Sequence, residues 1–292
     1  MKTQKSFQND SSSTIYVVPT PIGNLEDMTY RAIHTLKTVN VIAAEDTRNT
    51  KKLLNYFEIK TPLLSYHEHN KEARETQLID MLAEGKSIAL VSDAGMPAIS
   101  DPGYELVRAA IEEDINIVVL PGANAALCAL VGSGLPTEEF LFYGFLPRKN
   151  KDRIAELERL KTLKATILFY ESPYRLKETL AGLRDILGDR EMVAARELTK
   201  RYEEYVRGTI SEVLDWAEQH EIKGEFCLVV NGNTQEAEES TDTLWWSHLS
   251  VKEHVDYHIE NDNIRSKEAI KRVATDRKIP SREVYDMYHL GK

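Results

Sequence analysis

The sequence predicts an α/β protein with two α/β domains and a small helical tail. Over residues 14–232, short apolar runs alternate with amphipathic segments of about ten to fifteen residues, a pattern typical of strand–helix units. The apolar runs of the first half are continuous rather than alternating, as in strands that are buried on both faces of a parallel sheet. Residues 244–292 show only helical periodicity, and a polar, acidic stretch precedes them.

The first predicted domain spans residues 14–134 and contains five strand–helix pairs. The strands are predicted at Ile15–Val18, Val39–Ala44, Pro62–Ser65, Ser87–Ser92 and Ile115–Leu120. The helices are predicted at Tyr30–Lys37, Thr47–Phe57, Lys71–Glu84, Pro102–Glu113 and Ala123–Gly132. Asp101 is the predicted N-cap of the fourth helix, because Pro102 would then occupy the first helical position, where a missing N–H costs nothing.

The second predicted domain spans residues 135–232 and is a mixed α/β unit. Its strands are predicted at Phe140–Phe145, Thr166–Tyr170, Met192–Glu197, near Tyr205, and at Phe226–Val230. Its helices are predicted at Lys151–Leu163, Tyr174–Leu187 and Ser211–Gln219.

Three further segments flank these domains. Residues 1–13 are polar and serine-rich without the apolar core of a signal peptide, which predicts a disordered leader. The acidic residues 233–243 predict a linker, and residues 244–292 predict a helix–turn–helix-like tail that turns near Pro280. A two-helix unit of this size needs support, and Trp245 and Trp246 are the candidates to provide it.

Composition narrows the class of protein. The 292 residues suffice for about two domains, and 42% hydrophobic with 29% charged residues is ordinary for a globular protein. No apolar run approaches the ~20 residues that span a bilayer, so no membrane association is expected. Cys128 and Cys227 lie within apolar runs and are interpreted as small buried side chains, which is compatible with the reducing cytoplasm.

Three loops that follow predicted strands contain the candidate ligand-binding residues. They are Pro19–Asn24 (PTPIGN), Ser92–Pro97 (SDAGMP) and Pro121–Asn124 (PGAN). All three would leave the carboxyl ends of parallel strands, where open α/β sheets bind ligands. Neither GxGxxG after the first strand nor GxxxxGK[ST] occurs, so dinucleotide and P-loop sites are unsupported. The loops therefore predict a crevice for another extended small molecule.

Eight segments carry a resemblance to a known family. They are VVPTPIGNLEDMTYRA, VIAAEDTRNT, ALVSDAGMPAISDPGYELV, LPGANAA, GFLPRK, ILFYESPYRL, ARELTKRYEE and GEFCLVV, in that order between residues 14 and 232. Together they resemble the tetrapyrrole methylase superfamily, and within it the branch that methylates ribose in 16S ribosomal RNA. The helical tail is also similar to that branch's C-terminal extension. Two positions depart from the pattern: Met96 stands where threonine is usual, and Ala123 where proline is commoner.

The resemblance implies a cofactor and a site. S-adenosylmethionine would lie in a cleft between the two α/β domains. Its expected contacts are Pro21, Ile22, Gly23, Asp93, Gly95, Met96, Asn124, Ala125, Tyr170, Phe226 and Cys227. The implied reaction is 2′-O-methylation of cytidine 1402 in the decoding centre of 16S ribosomal RNA, within the small ribosomal subunit, by a homodimer.

The catalytic residues are less directly indicated. Glu45 and Asp46 close the second strand and could provide a general base in the crevice, or they could cap the following helix, where acidic residues are favourable. Other candidates are His67–Asn70, Glu171 with Arg175, and Arg196–Lys200. The pairs His67/His69 and His254/His258 show no third ligand at useful spacing, so no metal is predicted.

Net charge argues mildly against nucleic acid, but its distribution does not. The chain carries a net charge of −10, whereas Arg148–Lys164 and Arg265–Arg282 each carry seven Lys or Arg against three and two acidic residues. The candidate RNA contacts are Arg148, Lys149, Lys200, Arg201, Lys271 and Arg272. Each basic run could also be an ordinary solvated face. The alternative functions are a related enzyme that methylates a corrinoid or another small molecule, and a non-catalytic RNA-binding assembly factor.

Overall fold

A computed structural model of the chain describes residues 3–4, 13–234, 245–246, 248–262 and 264–290. The chain divides into two compact units, Met1–Thr234 and Gln235–Lys292. Most of the predicted leader and of the predicted linker lies outside the described residues. Within the leader, Gln4 exchanges two hydrogen bonds with the backbone of Ile117. No described helix has the length and apolar character needed to cross a membrane.

The first unit contains two five-stranded sheets. Its strands are β1 (Thr14–Val17), β2 (Val41–Ala44), β3 (Leu63–Ser65), β4 (Ile88–Val91), β5 (Asn116–Val119), β6 (Phe140–Phe145), β7 (Thr166–Glu171), β8 (Glu191–Arg196), β9 (Glu204–Thr209) and β10 (Phe226–Val230). Its α-helices are α1 (Tyr30–Thr38), α2 (Thr47–Tyr56), α3 (Lys71–Ala83), α4 (Tyr104–Glu112), α5 (Ala125–Ser133), α6 (Asn150–Leu160), α7 (Leu176–Leu187) and α8 (Ile210–Gln219). The mixed α/β architecture predicted from the sequence is confirmed.

The first sheet is wholly parallel, with strand order β3-β2-β4-β1-β5. Every residue of β2 and β4 is buried, because α1 and α2 cover one face and α3 and α4 the other. Leu36 and Leu54 pack on the first face, and Leu78 and Leu106 on the second. Burial on both faces explains why these strands are continuous apolar runs in the sequence.

The start of α4 differs from the prediction. The helix begins at Tyr104 with Gly103 at the cap position, so Asp101 is not the N-cap. Ala98 and Ser100 have φ of 65° and 64°, and Gly103 has φ of 142°. These left-handed residues wind the chain tightly before the helix starts, and the local sequence Asp-Pro did not reveal that turn.

The second sheet is mixed, with strand order β6-β7-β10-β8-β9. Strands β6 and β7 are parallel, while β10 pairs antiparallel with both β7 and β8. The side chains of β10 alternate between two hydrophobic cores. Leu228 faces the core formed with α6, α7 and α8, whereas Cys227 and Val229 face α5. Both faces are again buried, here with the period of two that a strand imposes.

Helix α5 connects the two sheets. It follows β5 of the first sheet, but its buried residues Ala126, Ala129 and Leu130 pack on the second sheet. Asn124 caps it, because its side-chain oxygen accepts from Leu127 N at 3.0 Å. The loop after β5 is therefore held between the two sheets.

The second unit is helical. Helices α9 (Val251–Asn261), α10 (Ser266–Asp276) and α11 (Ser281–His289) enclose a small core. The buried members of that core are Val255, Ala269, Ile270, Val273, Ala274 and Val284. In the part of this unit that the structure describes, three helices rather than the predicted two share the core, because α9 contributes Val255. The predicted support from tryptophan is present: the ring of Trp246 stacks on His254, with centroids 5.2 Å apart.

Candidate active site

A cavity of about 520 Å³ opens where the two sheets meet. The loops after β4 and β5 form one side, and the ends of β7, β8 and β10 form the other. Its lining residues are Ile22, Glu45, Asp93, Ala94, Gly95, Met96, Ile99, Ser100, Asp101, Asn124, Ala125, Phe145, Tyr170, Glu171, Ser172, Pro173, Ala195, Glu197, Leu198, Lys200, Glu225, Phe226 and Cys227. The lining combines acidic groups with an apolar and aromatic wall.

Nine of the eleven predicted cofactor contacts line this cavity. The other two, Pro21 and Gly23, line a smaller pocket of about 320 Å³. The two pockets share Asp93, which lies in the lining of both. The sequence thus located residues from both halves of the chain that the fold brings together.

Strand register explains how the second sheet contributes. Cys227 pairs with Tyr170 on β7 and with Ala195 on β8, so the three lie in one row across the sheet. All three point to the face that α5 covers, and this row forms the floor of the cavity. The Phe145 and Tyr170 ring centroids are 5.6 Å apart, and burial raises the pKa of Tyr170 to about 12. The phenol is therefore neutral at physiological pH.

Two of the predicted loops are joined directly by backbone hydrogen bonds. Thr20 N donates to Gly95 O at 3.0 Å, and Gly95 N donates to Thr20 O at 2.9 Å. Gly95 has φ of 81°, and a Cβ there would lie 3.2 Å from Ile22 Cγ2. Position 95 therefore needs glycine for its backbone conformation and for the close approach of the first loop.

Asp93 fixes the loop after β4 to the start of α2. Its Oδ1 accepts from Asp46 N at 3.1 Å, and its Oδ2 accepts from Asn49 Nδ2 at 3.3 Å. The carboxylate is thereby oriented while its exposed side still faces both pockets.

The catalytic candidates Glu45 and Asp46 have different environments. Glu45 lines the cavity, and burial, together with the nearby Asp93, raises its pKa. Asp46 instead caps α2: its Oδ1 accepts from Arg48 N at 2.8 Å, and its Oδ2 lies 2.8 Å from Arg48 Nη2. Hydrogen bonds from Arg48 lower the pKa of Asp46 to about 2. Asp46 therefore caps the helix, and a catalytic role for Glu45 or Asp46 stays a prediction.

Asp101 is a lining residue that sequence reasoning assigned to a helix cap. Burial, and then repulsion from Glu45, raise the pKa of its carboxyl to about 6, although a hydrogen bond with the Ser92 side chain favours the charged form. The sequence signal was a second aspartate in the loop that already contained Asp93. The left-handed residues Ala98 and Ser100, which turn that loop back into the cavity, could not be read from the sequence.

The predicted RNA contacts have mixed environments. Lys200 lines the cavity, and its Nζ lies 2.9 Å from carboxylate oxygens of both Glu197 and Glu225. Lys200 therefore lines the cavity, and its contact with RNA stays a prediction. Arg148, Lys149, Arg201, Lys271 and Arg272 are exposed. Within the first basic run, Arg153 is buried and pairs with Glu178 at 2.6 Å.

The remaining catalytic candidates have structural partners. The carboxylate of Glu171 accepts hydrogen bonds from Ser172 N and Thr179 Oγ1, which anchors the start of α7. Arg196 pairs with Glu204 on the neighbouring strand at 3.2 Å. The rings of His67 and His69 are 6.0 Å apart, and His67 Nε2 lies 3.2 Å from Asn70 Nδ2.

Comparison with known proteins agrees with this architecture. The sequence model of the tetrapyrrole (corrin/porphyrin) methylases matches residues 14–214. Ribosomal RNA small subunit methyltransferase I of Halalkalibacterium halodurans is 59% identical over 290 residues, 99% of each chain. The protein of that name from Bacillus subtilis is 57% identical over 291 residues, again 99% of each. The solved uroporphyrin-III C-methyl transferase of Thermus thermophilus, complexed with S-adenyl homocysteine, has a TM-score of 0.53 and 18% identity over 75% of this chain and 97% of that one.

The fold and these likenesses define the class: the chain is a methyltransferase. It belongs to the tetrapyrrole methylase family, and it matches ribosomal RNA small subunit methyltransferases I over nearly its whole length. Members of this family use S-adenosylmethionine, which is therefore the methyl donor of this chain. The family resemblance seen in the sequence is confirmed.

Proposed function

We propose that the chain transfers a methyl group from S-adenosylmethionine to the ribose 2′-hydroxyl of cytidine 1402 in 16S ribosomal RNA, within the small ribosomal subunit. The observation that carries the proposal is the likeness to proteins named ribosomal RNA small subunit methyltransferase I, which extends over 99% of the chain. It includes the helical unit, which lies beyond the residues 14–214 that the family as a whole shares.

The cavity fits the cofactor chemically. S-adenosylmethionine carries a sulfonium and an ammonium group, and Glu45, Asp93 and Asp101 supply carboxylates that favour such cations. Phe145, Tyr170 and neighbouring apolar side chains offer a surface for a flat purine ring. The cavity volume of about 520 Å³ lies within the range of small-molecule sites.

When bound, the cofactor supplies an electrophilic methyl group on its sulfonium. The residues of the chain then have two tasks. The two loops joined through Thr20 and Gly95 and the floor formed by Tyr170 and Cys227 would hold the reactants in register, and alignment alone can contribute roughly 7–11 kcal/mol. A carboxylate of raised pKa, Asp101 or Glu45, would accept the proton that the 2′-hydroxyl loses, for a further ~10²–10⁴-fold.

The proposal extends to partners and organisation. The exposed Arg148, Lys149 and Arg201, with Lys271 and Arg272 of the helical unit, would contact RNA phosphates. The functional domains of the proposal are residues 14–134 and 135–232, followed by the helical tail at residues 244–292. We also propose a homodimer in the cytoplasm: Leu127 and Val131, one turn apart on α5, expose 48% and 76% of their surfaces, which a second copy could cover.

The test is to map ribose methylation in 16S RNA from a strain that lacks this gene, complemented in turn with three versions of it. Wild type should restore the mark at cytidine 1402, Asp93→Ala should not, and Asp185→Ala should. Asp185 is an exposed carboxylate that pairs with the adjacent Arg184, so it controls for loss of acidic charge. A mark that persists in the deletion strain would refute the proposal.

Consumption of S-adenosylmethionine and methylation of the RNA, measured together, distinguish the proposed function from its two alternatives. A non-catalytic assembly factor would restore subunit assembly without consuming S-adenosylmethionine. An enzyme that acts on a corrinoid would consume it without any change in the RNA.

A further inference from the structure

A buried polar cluster in the helical unit has no role in the proposed reaction. His254 and His258 lie one turn apart on α9 and are 0% and 4% exposed, and Asp276 is the last residue of α10. The two His Nε2 atoms lie 3.6 Å and 3.5 Å from the same oxygen, Asp276 Oδ2. Neither nitrogen has a hydrogen-bond partner among the described residues.

Without a cation, this buried cluster destabilises the fold. A buried polar atom that lacks a hydrogen-bond partner destabilises the fold, and here two such atoms face one carboxylate. Tetrahedral zinc holds imidazole nitrogen and carboxylate oxygen at about 2.0–2.2 Å, which places the ligand atoms about 3.3–3.5 Å apart. The spacings of 3.5 Å and 3.6 Å are close to that value. We propose that His254, His258 and Asp276 bind a zinc ion, with water as the fourth ligand, that ties α9 to α10.

The surroundings of His258 match those of a metal ligand. Its Nδ1 lies 2.6 Å from Asp262 Oδ2, and Arg272 Nη1 donates to that same oxygen at 3.0 Å. A carboxylate at Nδ1 fixes the proton there and leaves the Nε2 lone pair free to coordinate.

His254 must change its hydrogen bonding when zinc binds. Arg277 Nε donates to His254 Nδ1 at 3.2 Å, so the metal-free ring carries its proton on Nε2. Coordination requires that proton to move to Nδ1 and Arg277 Nε to withdraw. The Arg277 guanidinium keeps other partners meanwhile, because its Nη2 donates to the carbonyls of Leu249 and Ser250.

The small size of the helical unit explains why a metal site would be useful there. Among its described residues, the helical unit encloses a core of only six buried apolar side chains, and units this small are commonly stabilised by a metal or by disulfides. Trp245 and Trp246 pack against His254 with ring centroids 5.1 Å and 5.2 Å away, so they shield the cluster from water. Zinc would bind the folded unit in preference to the unfolded one and would therefore stabilise it.

The sequence alone predicted no metal site at His254 and His258. The spacing of His254 and His258 supplies two ligands, and no third follows at the short intervals of known zinc motifs. Asp276 reaches them only because α10 packs against α9 through Val255 and Val273, which is a property of the fold.

The experiment uses the full-length protein, stripped with a chelator and then equilibrated with zinc chloride alone. Bound metal is measured by elemental analysis and calorimetry, and cobalt(II) absorption reports tetrahedral coordination. We expect one tight zinc per chain, at least tenfold weaker binding for His258→Gln and for Asp276→Asn, and no change for His34→Gln. His34 is an exposed histidine on α1 and controls for histidine number.

A second variant distinguishes the loss of zinc binding from unfolding of the helical unit. Asp262→Asn leaves all three ligands in place and removes only the carboxylate behind His258, so we expect zinc binding weakened about 10–100-fold with unchanged helix content. Zinc should also raise the unfolding temperature of the wild-type chain. Failure of the wild type to bind zinc, or equal binding by wild type and Asp276→Asn, would overturn the proposal.

Discussion

At the scale of single residues, environment gives neighbouring carboxylates different properties. Asp46 and Asp101 are the same amino acid near the same sheet edge. Arg48 lowers the pKa of Asp46 to about 2, whereas burial and Glu45 raise the pKa of Asp101 to about 6. Asp46 is thereby committed to helix capping, while Asp101 has the higher basicity that a proton acceptor needs.

Asp101→Asn should reduce turnover by about 10²–10⁴-fold if Asp101 accepts the 2′-hydroxyl proton. In the wild type, the rate should fall as the pH drops through about 6, because the carboxyl then becomes protonated. Methylation of small ribosomal subunits that lack the mark, measured between pH 5 and 8, checks both statements. A variant with the wild-type rate and pH profile would transfer the role to Glu45.

The same substitution should stabilise the fold, in a way that depends on pH. A carboxyl whose pKa is higher in the folded chain than in the unfolded chain destabilises the fold when it is ionised, and has no effect below its unfolded pKa of 3.8. Because the group is only half-buried, solvent screening limits the effect to ~1 kcal/mol. Urea unfolding of Asp101→Asn should therefore show a gain at pH 8 and none at pH 3.

Asp46→Ala should separate capping from catalysis. The substitution removes the oxygen that accepts from Arg48 N and should cost ~1 kcal/mol of stability while turnover stays near wild type. Glu45→Gln, at the adjacent cavity position, should lower turnover with little effect on stability. Steady-state kinetics and urea unfolding of both variants test this, and a loss of turnover in Asp46→Ala at full stability would contradict it.

At the scale of elements, the sequence predicted what depends on local pattern. The apolar runs that contain β2 and β4 identified a parallel sheet, because a strand buried on both faces must be apolar throughout. The sequence did not predict features that distant residues decide. The packing of α5 on the second sheet and the approach of Asp276 to His254 depend on tertiary contacts, and the pattern of neither helix encodes them.

Two helical glycines should respond to alanine with opposite signs. A Cβ at Gly132 in α5 would lie 2.5 Å from Tyr205 Oη on β9, whereas a Cβ at Gly182 in α7 would lie 3.6 Å from Leu157 Cδ1, an ordinary contact. Gly132→Ala should destabilise the chain by about 1–3 kcal/mol through overpacking. Gly182→Ala should stabilise it by about 0.5–1 kcal/mol, because alanine favours the helix. Urea unfolding compares the two, and a gain in both would show that α5 is not tightly packed on β9.

At the scale of the whole molecule, the candidate active site and the second basic run lie in different units. The cavity lies entirely within the first unit, while six exposed basic side chains lie in the basic run Arg265–Arg282 of the second. They are Arg265, Lys267, Lys271, Arg272, Lys278 and Arg282. Arg277, in the same basic run, is half-buried and bonded to backbone carbonyls, so it does not add to this surface.

Removal of the second unit should therefore spare cofactor binding and weaken RNA binding. Truncation after Thr234 keeps the hydrogen bond from Asn233 N to Leu163 O that fastens the end of the first unit. S-adenosylmethionine affinity should stay unchanged by calorimetry. The dependence of RNA binding on salt should become shallower by roughly 0.7–0.9 for each phosphate that the second unit neutralises in the intact protein. An unchanged salt dependence would show that the basic residues of the second unit do not contact RNA phosphates.

The second sheet has its last strand in the middle. Strand β10 separates β7 from β8, so the sheet that carries Tyr170 cannot close until residue 230 has been synthesised. Helix α5, made far earlier, lacks the complete surface that covers Ala129 and Leu130 throughout that interval, on the order of ten seconds at ribosomal speed. During its own synthesis the enzyme thus exposes an apolar helix until its final α/β strand completes the covering sheet, and the floor of its cavity is finished only when residue 230 of 292 has been made.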